Sequence, residues 1–293
     1  MGNKLEIVFW DVQHGHCTYL KTPNGRHILI DLGIGSYDDK NATFSPILHL
    51  KNNWNVRQLD YVGVTHPHLD HIDDILNFDE VNPKVFCRPT QISNAEVMEG
   101  VREQDRPKFE KYCEINDRYS DPIPADSPNN IRNEDNWGGV KVQIFLPTSC
   151  NTNKFNNHSI VFVFEYLRTK IVVPGDNEKC SLEELMKLTS FKDAVRNSEI
   201  LLAPHHGREN GYYTEFVDLV NPLITVVSDG RFCDTSANGR YSAKSRGWKV
   251  FKKSKNEYIE RKCLTTNSDG EVFAYIEPST DPQYKSVLEV SIK

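Results

Sequence analysis

Four potential metal ligands fall within six residues of the segment Val64-Thr65-His66-Pro67-His68-Leu69-Asp70-His71. In an extended loop, side chains two apart point the same way, so His66 and His68 can grip one cation. Asp70 and His71, turning into a following helix, would face a second. Two further groups stand where β runs end, at Val172-Val173-Pro174-Gly175-Asp176 and at Leu201-Leu202-Ala203-Pro204-His205-His206-Gly207. A sheet aims side chains at its strand ends into a shared cleft, and these groups would complete a dinuclear site. Histidine usage agrees, since His14, His16 and His158 add to the same few short clusters.

Strands are needed to hold such groups. Residues 5–10, 18–20 and 27–31 read as three β runs of a meander turning at Pro23-Asn24-Gly25. Ser45 and Pro46 place a cap and a first-turn proline before a short helix, and residues 59–64 read as a buried strand. After a helix near 93–119 the periodicity fades, and residues 88–137, charged, aromatic and proline-bearing, read as an insertion or lid. Strand runs return at 140–146, 160–165 and 170–173, and Ser181 with Glu184 predicts a capping box opening a helix. A strand at 200–203, a helix near 212–220, a strand at 223–228, a basic helix-prone stretch and β runs near 258–264 and 272–276 follow. Hairpin turns are closed to all-parallel topology, so the expected fold is α/β, two sheets sandwiched between helices in a single domain over residues 1–293.

Composition removes several classes. Hydrophobic residues at 38% and charged residues at 26% describe a globular protein, and the net charge of −6 excludes a polycation that coats nucleic acid. No apolar run approaches the roughly 20 residues of a bilayer helix, and no secretion signal is visible, so no membrane is expected. Seven cysteines without a C-x-x-C pair argue against a disulfide framework and a structural zinc knuckle, and favour a reducing cytoplasm. Neither G-x-G-x-x-G nor a Walker lysine is present.

The motifs together resemble the metallo-β-lactamase superfamily, and within it the branch related to the hydrolase domain of the DNA-uptake protein ComEC/Rec2. His66 to His71 resembles the superfamily's His-x-His-x-Asp-His. Asp11-Val12-Gln13-His14-Gly15-His16 is similar to the branch's Asp-Val-Gly-Gln-Gly-Asp, and Leu29-Ile30-Asp31-Leu32-Gly33 to its Leu-Ile-Asp-x-Gly. Asn156-Asn157-His158-Ser159 resembles Asn-Asn-x-Ser, Pro174-Gly175-Asp176 resembles Thr-Gly-Asp, and His205-His206-Gly207 resembles His-His-Gly. Val227-Ser228-Asp229-Gly230 and Ser268-Asp269-Gly270 fall where the branch has a serine strand end and a closing Asp-Gly turn. The resemblance implies an αββα four-layer sandwich with a metal cleft along one sheet edge. Departures are informative: Asn-Asn-x-Ser replaces the histidine most of the superfamily has as its third motif, with Asn157 and His158 as metal or supporting candidates. Asp73-Asp74 replaces a glycine pair, which adds negative charge beside the site, and His14 and His16 replace glutamine and aspartate. A late Asn-x-Tyr-x-His-Pro segment has no counterpart near residues 238–241.

The chemistry so implied is hydrolysis by water activated between two divalent ions, zinc by its fit to imidazole, with manganese second. Asp176 would bridge, His66 and His68 would hold one ion, Asp70, His71 and His205 the other, with His206 or Asp70 handling a proton at the leaving group. For the substrate, residues 239–262 hold nine basic side chains against Glu257 and Glu260, interleaved with Tyr241, Trp248, Phe251 and Tyr258. Lys244, Arg246, Lys249 and Lys252 within it are the expected contacts to a phosphodiester such as DNA. A metal-dependent phosphodiesterase or nuclease is the leading expectation. A hydrolase of small phosphoesters, cyclic nucleotides or lactones is the alternative enzyme, and a degenerate metal-binding partner module the alternative of another class.

Overall fold

Three hairpin-linked strands open the chain as the turn residues require: β1 (Leu5–Phe9), β2 (Thr18–Lys21) and β3 (His27–Ile30) pair antiparallel in sequence. The computed structural model describes residues 3–36, 43–150, 154–230 and 235–293. Short β4 (Gly35–Ser36) and β5 (Thr43–Phe44) pair with each other, and α1 (Pro46–Asn53) follows, with Ser45 accepting from the Leu48 amide. β6 (Tyr61–Gly63) and β7 (Phe86–Cys87) extend the first sheet in parallel, with α2 (Leu69–Ile72) between them. Then come α3 (Asn94–Met98), α4 (Arg106–Arg118), β8 (Lys141–Phe145), β9 (Val161–Tyr166) and β10 (Thr169–Val173). α5 (Lys179–Leu185), α6 (Thr189–Val195), β11 (Ile200–Leu202), α7 (Thr214–Val220) and β12 (Ile224–Val227) make the next alternation. The chain closes through α8 (Asn238–Lys244), β13 (Trp248–Lys252), β14 (Glu257–Arg261), β15 (Cys263–Thr265), α9 (Thr266–Asp269), β16 (Val272–Pro278) and β17 (Ser286–Ile292).

These strands form a sheet of nine, in the order β14-β13-β17-β16-β1-β2-β3-β6-β7, and a sheet of six, β15-β12-β11-β10-β9-β8. Between them lies one core that includes Phe9, Ile30, Phe162, Phe164, Ile224 and Val290. A second core, with Ile47, Phe78, Tyr112 and Ile115, sits under α1 and α4, and a third, with Leu182, Phe191, Phe216 and Tyr241, under α5 to α8. Helix, sheet, sheet, helix is the expected four-layer order. Each fully buried phenylalanine here contributes about 1.5–3 kcal/mol of transfer free energy. Parallel pairing of β10, β11 and β12 puts their C-terminal ends on one edge of the six-stranded sheet, and the parallel pairing of β3 and β6 does the same in the nine-stranded one. All five ends lead into the motif loops.

Several local expectations need correction. The helix near 93–119 is two helices, because the chain turns at Gly100 with φ 70° between α3 and α4. Residues 88–137 contribute Ile92, Val97, Tyr112, Ile115 and Trp137 to the cores, so much of the stretch is packed structure. No capping box forms at Ser181: α5 starts two residues earlier, and the Glu184 carboxylate instead accepts from the amides of Thr148, Ser149 and Cys150. That contact brings two loops together, and Cys150 and Cys180 are joined by a disulfide with Cα atoms 5.9 Å apart, a single pair where the sequence argues against a disulfide framework. Cys233 lies outside the described residues. Among the described residues no helix is long and apolar enough to cross a membrane.

Candidate metal centre

The His-x-His-x-Asp-His loop leaves β6 in an extended conformation, with His68 at φ −80° and ψ 154°, before α2 begins. The His66 and His68 rings therefore meet at 4.6 Å, with His66 Nε2 3.0 Å from His68 Nδ1. One turn later, Asp70 and His71 face Asp176 from the opposite sheet. Asp176 Oδ1 lies 3.2 Å from His71 Nε2, and its Oδ2 lies 3.3 Å from His206 Nε2, 3.8 Å from His205 Nε2 and 3.9 Å from His66 Nε2. Asp70 Oδ2 stands 3.1 Å from His206 Nε2. Asp70, His71, Asp176 and His206 thus bring one ligand atom each to within 4.8 Å of one another.

Supporting contacts turn each imidazole the same way. The His71 Nδ1–H donates to Asp31 Oδ2 at 2.8 Å, and the His206 Nδ1–H donates to the Ser228 carbonyl at 2.9 Å. His66 Nδ1 faces the hydroxyls of Ser159 and Thr65, each at 3.2 Å. Nε2 is left toward the centre in all three, and the buried Nε2 atoms of His71 and His206 face only the Asp70 and Asp176 carboxylates, at ion-pair distance and without a well-aligned hydrogen bond. Convergent imidazoles and carboxylates whose inward atoms face only one another, with His66, His71 and His206 held from behind by a polar group, fit a divalent cation. Asp31, part of a turn motif in the sequence, organises the loop: it also accepts from the Thr65 amide at 2.6 Å and from His16 Nδ1 at 2.7 Å. Its signal in the sequence was an aspartate closing a buried strand.

Electrostatics follow the packing. Burial, joined by neighbouring imidazoles, pushes the pKa of His66 down, and burial likewise lowers His68 and His205. Burial works against the charge on His71, but Asp176, Asp31 and Asp70 outweigh it and raise its pKa well above the usual value. His206 is likewise desolvated by burial yet raised to about 10 by Asp176 and Asp70. Burial disfavours the Asp70 and Asp176 carboxylates too, but the same imidazoles hold both below the ordinary carboxylate range.

Other predicted residues fall outside this cluster. His16 places its ring nitrogens on Asp31 and on Thr18 Oγ1, each at 2.7 Å, so it supports His71 through Asp31, and His16, Asp31 and His71 form a second close group of potential ligand atoms. Asn157 accepts from Ser181 Oγ at 3.0 Å and from the Glu178 amide at 3.3 Å, and so tethers α5. His158 Nδ1 contacts Gln91 at 3.1 Å. His205 lies at the rim, where Asn156 Nδ2 donates to its Nε2 at 3.3 Å. His14, half exposed, places Nε2 3.6 Å from Asp70 and its ring 4.7 Å from that of His206. Asp73 and Asp74 do not charge the cleft: Asp73 pairs with Lys108, and Asp74 is buried, accepting from the Ile47 amide at 2.9 Å and from Ser45.

The basic stretch is dispersed. Lys244 pairs with Asp218 at 2.5 Å, Arg246 donates to the Asn221 carbonyl at 2.9 Å, and Lys249 sits opposite Glu260 in the β13–β14 ladder. β17 and β16 separate Lys249 and Lys252 from β1, a distance of about 14 Å at the usual strand spacing. Beside His68 opens instead a cavity of about 710 Å³, lined by Glu96, Glu99, Lys154, Phe155, Asn156 and Glu178.

A stretch of 76 residues is 38% identical to the transcription termination factor FttA of Methanosarcina mazei, which is 25% of this chain and 11% of that protein, so the chain spans a small part of that relative's length. Among solved structures, a protein of Thermotoga maritima described as a zinc-dependent hydrolase of the metallo-β-lactamase superfamily matches at 15% identity and a TM-score of 0.42, over 89% of this chain and 97% of that one. The metallo-β-lactamase fold protein YhfI of Bacillus subtilis matches at 12% and 0.38, over 78% and 88% of the two chains. CmlA, a diiron β-hydroxylase of Streptomyces venezuelae, matches at 12% and 0.44, over 78% and 45%. The family model of the metallo-β-lactamase superfamily matches residues 10–228, which span the loops from His14 to Ser228, and the chain belongs to that superfamily.

Proposed function

We propose that the protein is a metal-dependent phosphodiesterase. The reading rests on one observation: the Asp176 carboxylate lies between two donor groups, His66 with His68 and Asp70 with His71 and His206, within 3.9 Å of an imidazole on each side. His66, His68 and Asp176 would hold one cation, and Asp70, His71, His206 and Asp176 a second, with zinc favoured by the imidazole count. His206 takes the ligand role that the sequence suggested for His205, because its Nδ1 is fixed on Ser228 while its Nε2 faces both carboxylates. Bound cations supply Lewis acidity and make water acidic enough to ionise near neutral pH. The chain's own groups orient and shield. Asp31 and Ser228 lock two imidazoles, Phe155 packs at a tilt beside His68 with ring centroids 5.6 Å apart, and His14 and His205, the two rim imidazoles, are placed to pass a proton to the leaving oxygen.

Small diesters suit the cleft better than nucleic acid, because its wall carries Glu96, Glu99 and Glu178 against Lys154 alone. A nuclease is the second reading, favoured by the stretch shared with a transcription termination factor and by the Asn-Asn-x-Ser and His-His-Gly motifs that support the ComEC-related branch. The test is metal content by elemental analysis, with zinc- and manganese-loaded protein assayed on bis(p-nitrophenyl) phosphate, p-nitrophenyl phosphate, p-nitrophenyl acetate, a lactone, DNA and RNA. Expected are close to two equivalents of metal and diester cleavage that Asp176→Asn abolishes. Cleavage confined to the acetate or the lactone, or an Asp176→Asn protein with full metal and activity, overturns the proposal.

A further inference from the structure

Arg208 directly follows His205-His206-Gly207, so the loop that aims His206 at the centre also delivers a guanidinium. The loop has little freedom: His205 and His206 hold left-handed φ values of 49° and 55°, and a Cβ on Gly207 would come within 2.8 Å of Val227 Cγ1. Arg208 carries five N–H donors and uses few of them. Its Nη2 lies 3.4 Å from His14 Nδ1, its Nη1 lies 3.5 Å from Thr235 Oγ1, and its buried Nε has no partner. No carboxylate among the described residues pairs with it, although Arg240 takes nearby Glu209 and Lys154 takes Glu178. Its Nε is buried while both Nη atoms stay open to solvent, so the charged fork, unpaired with any carboxylate among the described residues, is free to meet an anion arriving from outside. His14 leads from it to the centre, with Nε2 3.6 Å from Asp70.

We infer that Arg208 reads the anionic group of the substrate, gripping phosphoryl oxygens from the side of the centre occupied by Asp70 and His206. This deepens the phosphodiesterase reading and rests on it. A guanidinium fork matches two phosphoryl oxygens, which a lysine ammonium does not. The assignment also gives the cleft a direction. Arg208 offers a guanidinium beside the centre while the cavity by His68 carries Glu96, Glu99 and Glu178, so the favoured substrate has a single phosphate joined to an uncharged or cationic remainder.

The experiment titrates inorganic phosphate into zinc-loaded full-length protein by calorimetry, in wild type, Arg208→Gln and Arg208→Lys, with zinc content and urea midpoint measured for each. Arg208→Gln is expected to weaken phosphate binding by about 10-fold or more, with Arg208→Lys between it and wild type. In parallel, KM for bis(p-nitrophenyl) phosphate should rise by a similar factor in Arg208→Gln, while kcat/KM for p-nitrophenyl acetate stays within about twofold. Equal phosphate affinity in all three proteins at equal zinc content overturns the inference, as does a wild type that binds no phosphate. Should Arg208→Gln lose zinc or unfold, the Lys variant decides: full phosphate affinity there removes the fork from the argument. Arg208-dependent phosphate binding in a wild type that cleaves no phosphoester leaves the anion site standing and sinks the phosphodiesterase reading alone.

Discussion

Asp31 shows how much a single carboxylate can set. It sits at the end of β3 with a left-handed φ of 59°, wholly buried, and accepts from His71, His16 and Thr65 at once. Asp31→Asn keeps the volume but gives His71 a weaker, misoriented acceptor, so zinc affinity should fall by about 10–100-fold, read by competition with a chelator. Protons provide a second handle. The folded pKa of His206 is raised to about 10 and that of His71 lies well above the ordinary imidazole value, so both are cationic at neutral pH in the metal-free fold. Their pairing with carboxylates stabilises that fold fully below the unfolded imidazole pKa of roughly 6.5, and the gain is lost as pH rises through the folded values. A cation must displace both protons, so calorimetry in buffers of different ionisation heat should find about two protons released per chain at pH 7. No proton release would place His71 and His206 outside the ligand set.

At the scale of elements, the centre depends on tight turns at strand ends. Gly175 has φ 58°, and a Cβ there would meet the Cβ atoms of Ser159 and Thr65 at 2.8 Å. Gly175→Ala should therefore cost about 2–5 kcal/mol, from left-handed strain plus overpacking, seen as a lower urea midpoint together with lost metal. Reduction of Cys150–Cys180 releases a link spanning 30 residues of sequence. In the chain-entropy view the loss is about 3.5 kcal/mol, and an unchanged midpoint in dithiothreitol would show that the pair does not form. Legibility varied for physical reasons. β1 to β3, α1 and the His66-to-His71 loop were readable because their signals are contiguous: turn residues, a cap with a proline, ligands two apart. The role of Glu184 is not legible locally because its partners lie more than thirty residues away, at Thr148 to Cys150. In the basic stretch, charge conceals an alternation in which Val250 enters the core while Lys249 and Phe251 flank it on β13. Which of His205 and His206 faces the carboxylates depends on two successive backbone angles that no spacing encodes.

For the whole molecule, charge and metal make separable predictions. Cleavage of a small diester in the acidic-walled cleft should change little with added salt, whereas a backbone-reading nuclease would lose affinity steeply, by orders of magnitude between about 50 and 200 mM. Removing the cations with a chelator should lower unfolding free energy by about 4 kcal/mol for each site at which free zinc had stood near 1,000 times its dissociation constant. The donors come from both sheets: His66, His68, Asp70 and His71 follow β6, while Asp176 follows β10 and His206 follows β11, with Ser228 steadying the last from the end of β12. During translation the first four emerge some hundred residues before Asp176 and His206. A half-synthesised polypeptide should hold zinc no more firmly than a histidine-bearing peptide does. Firm capture waits until the second sheet has docked, and ion loading then reports that assembly has been completed.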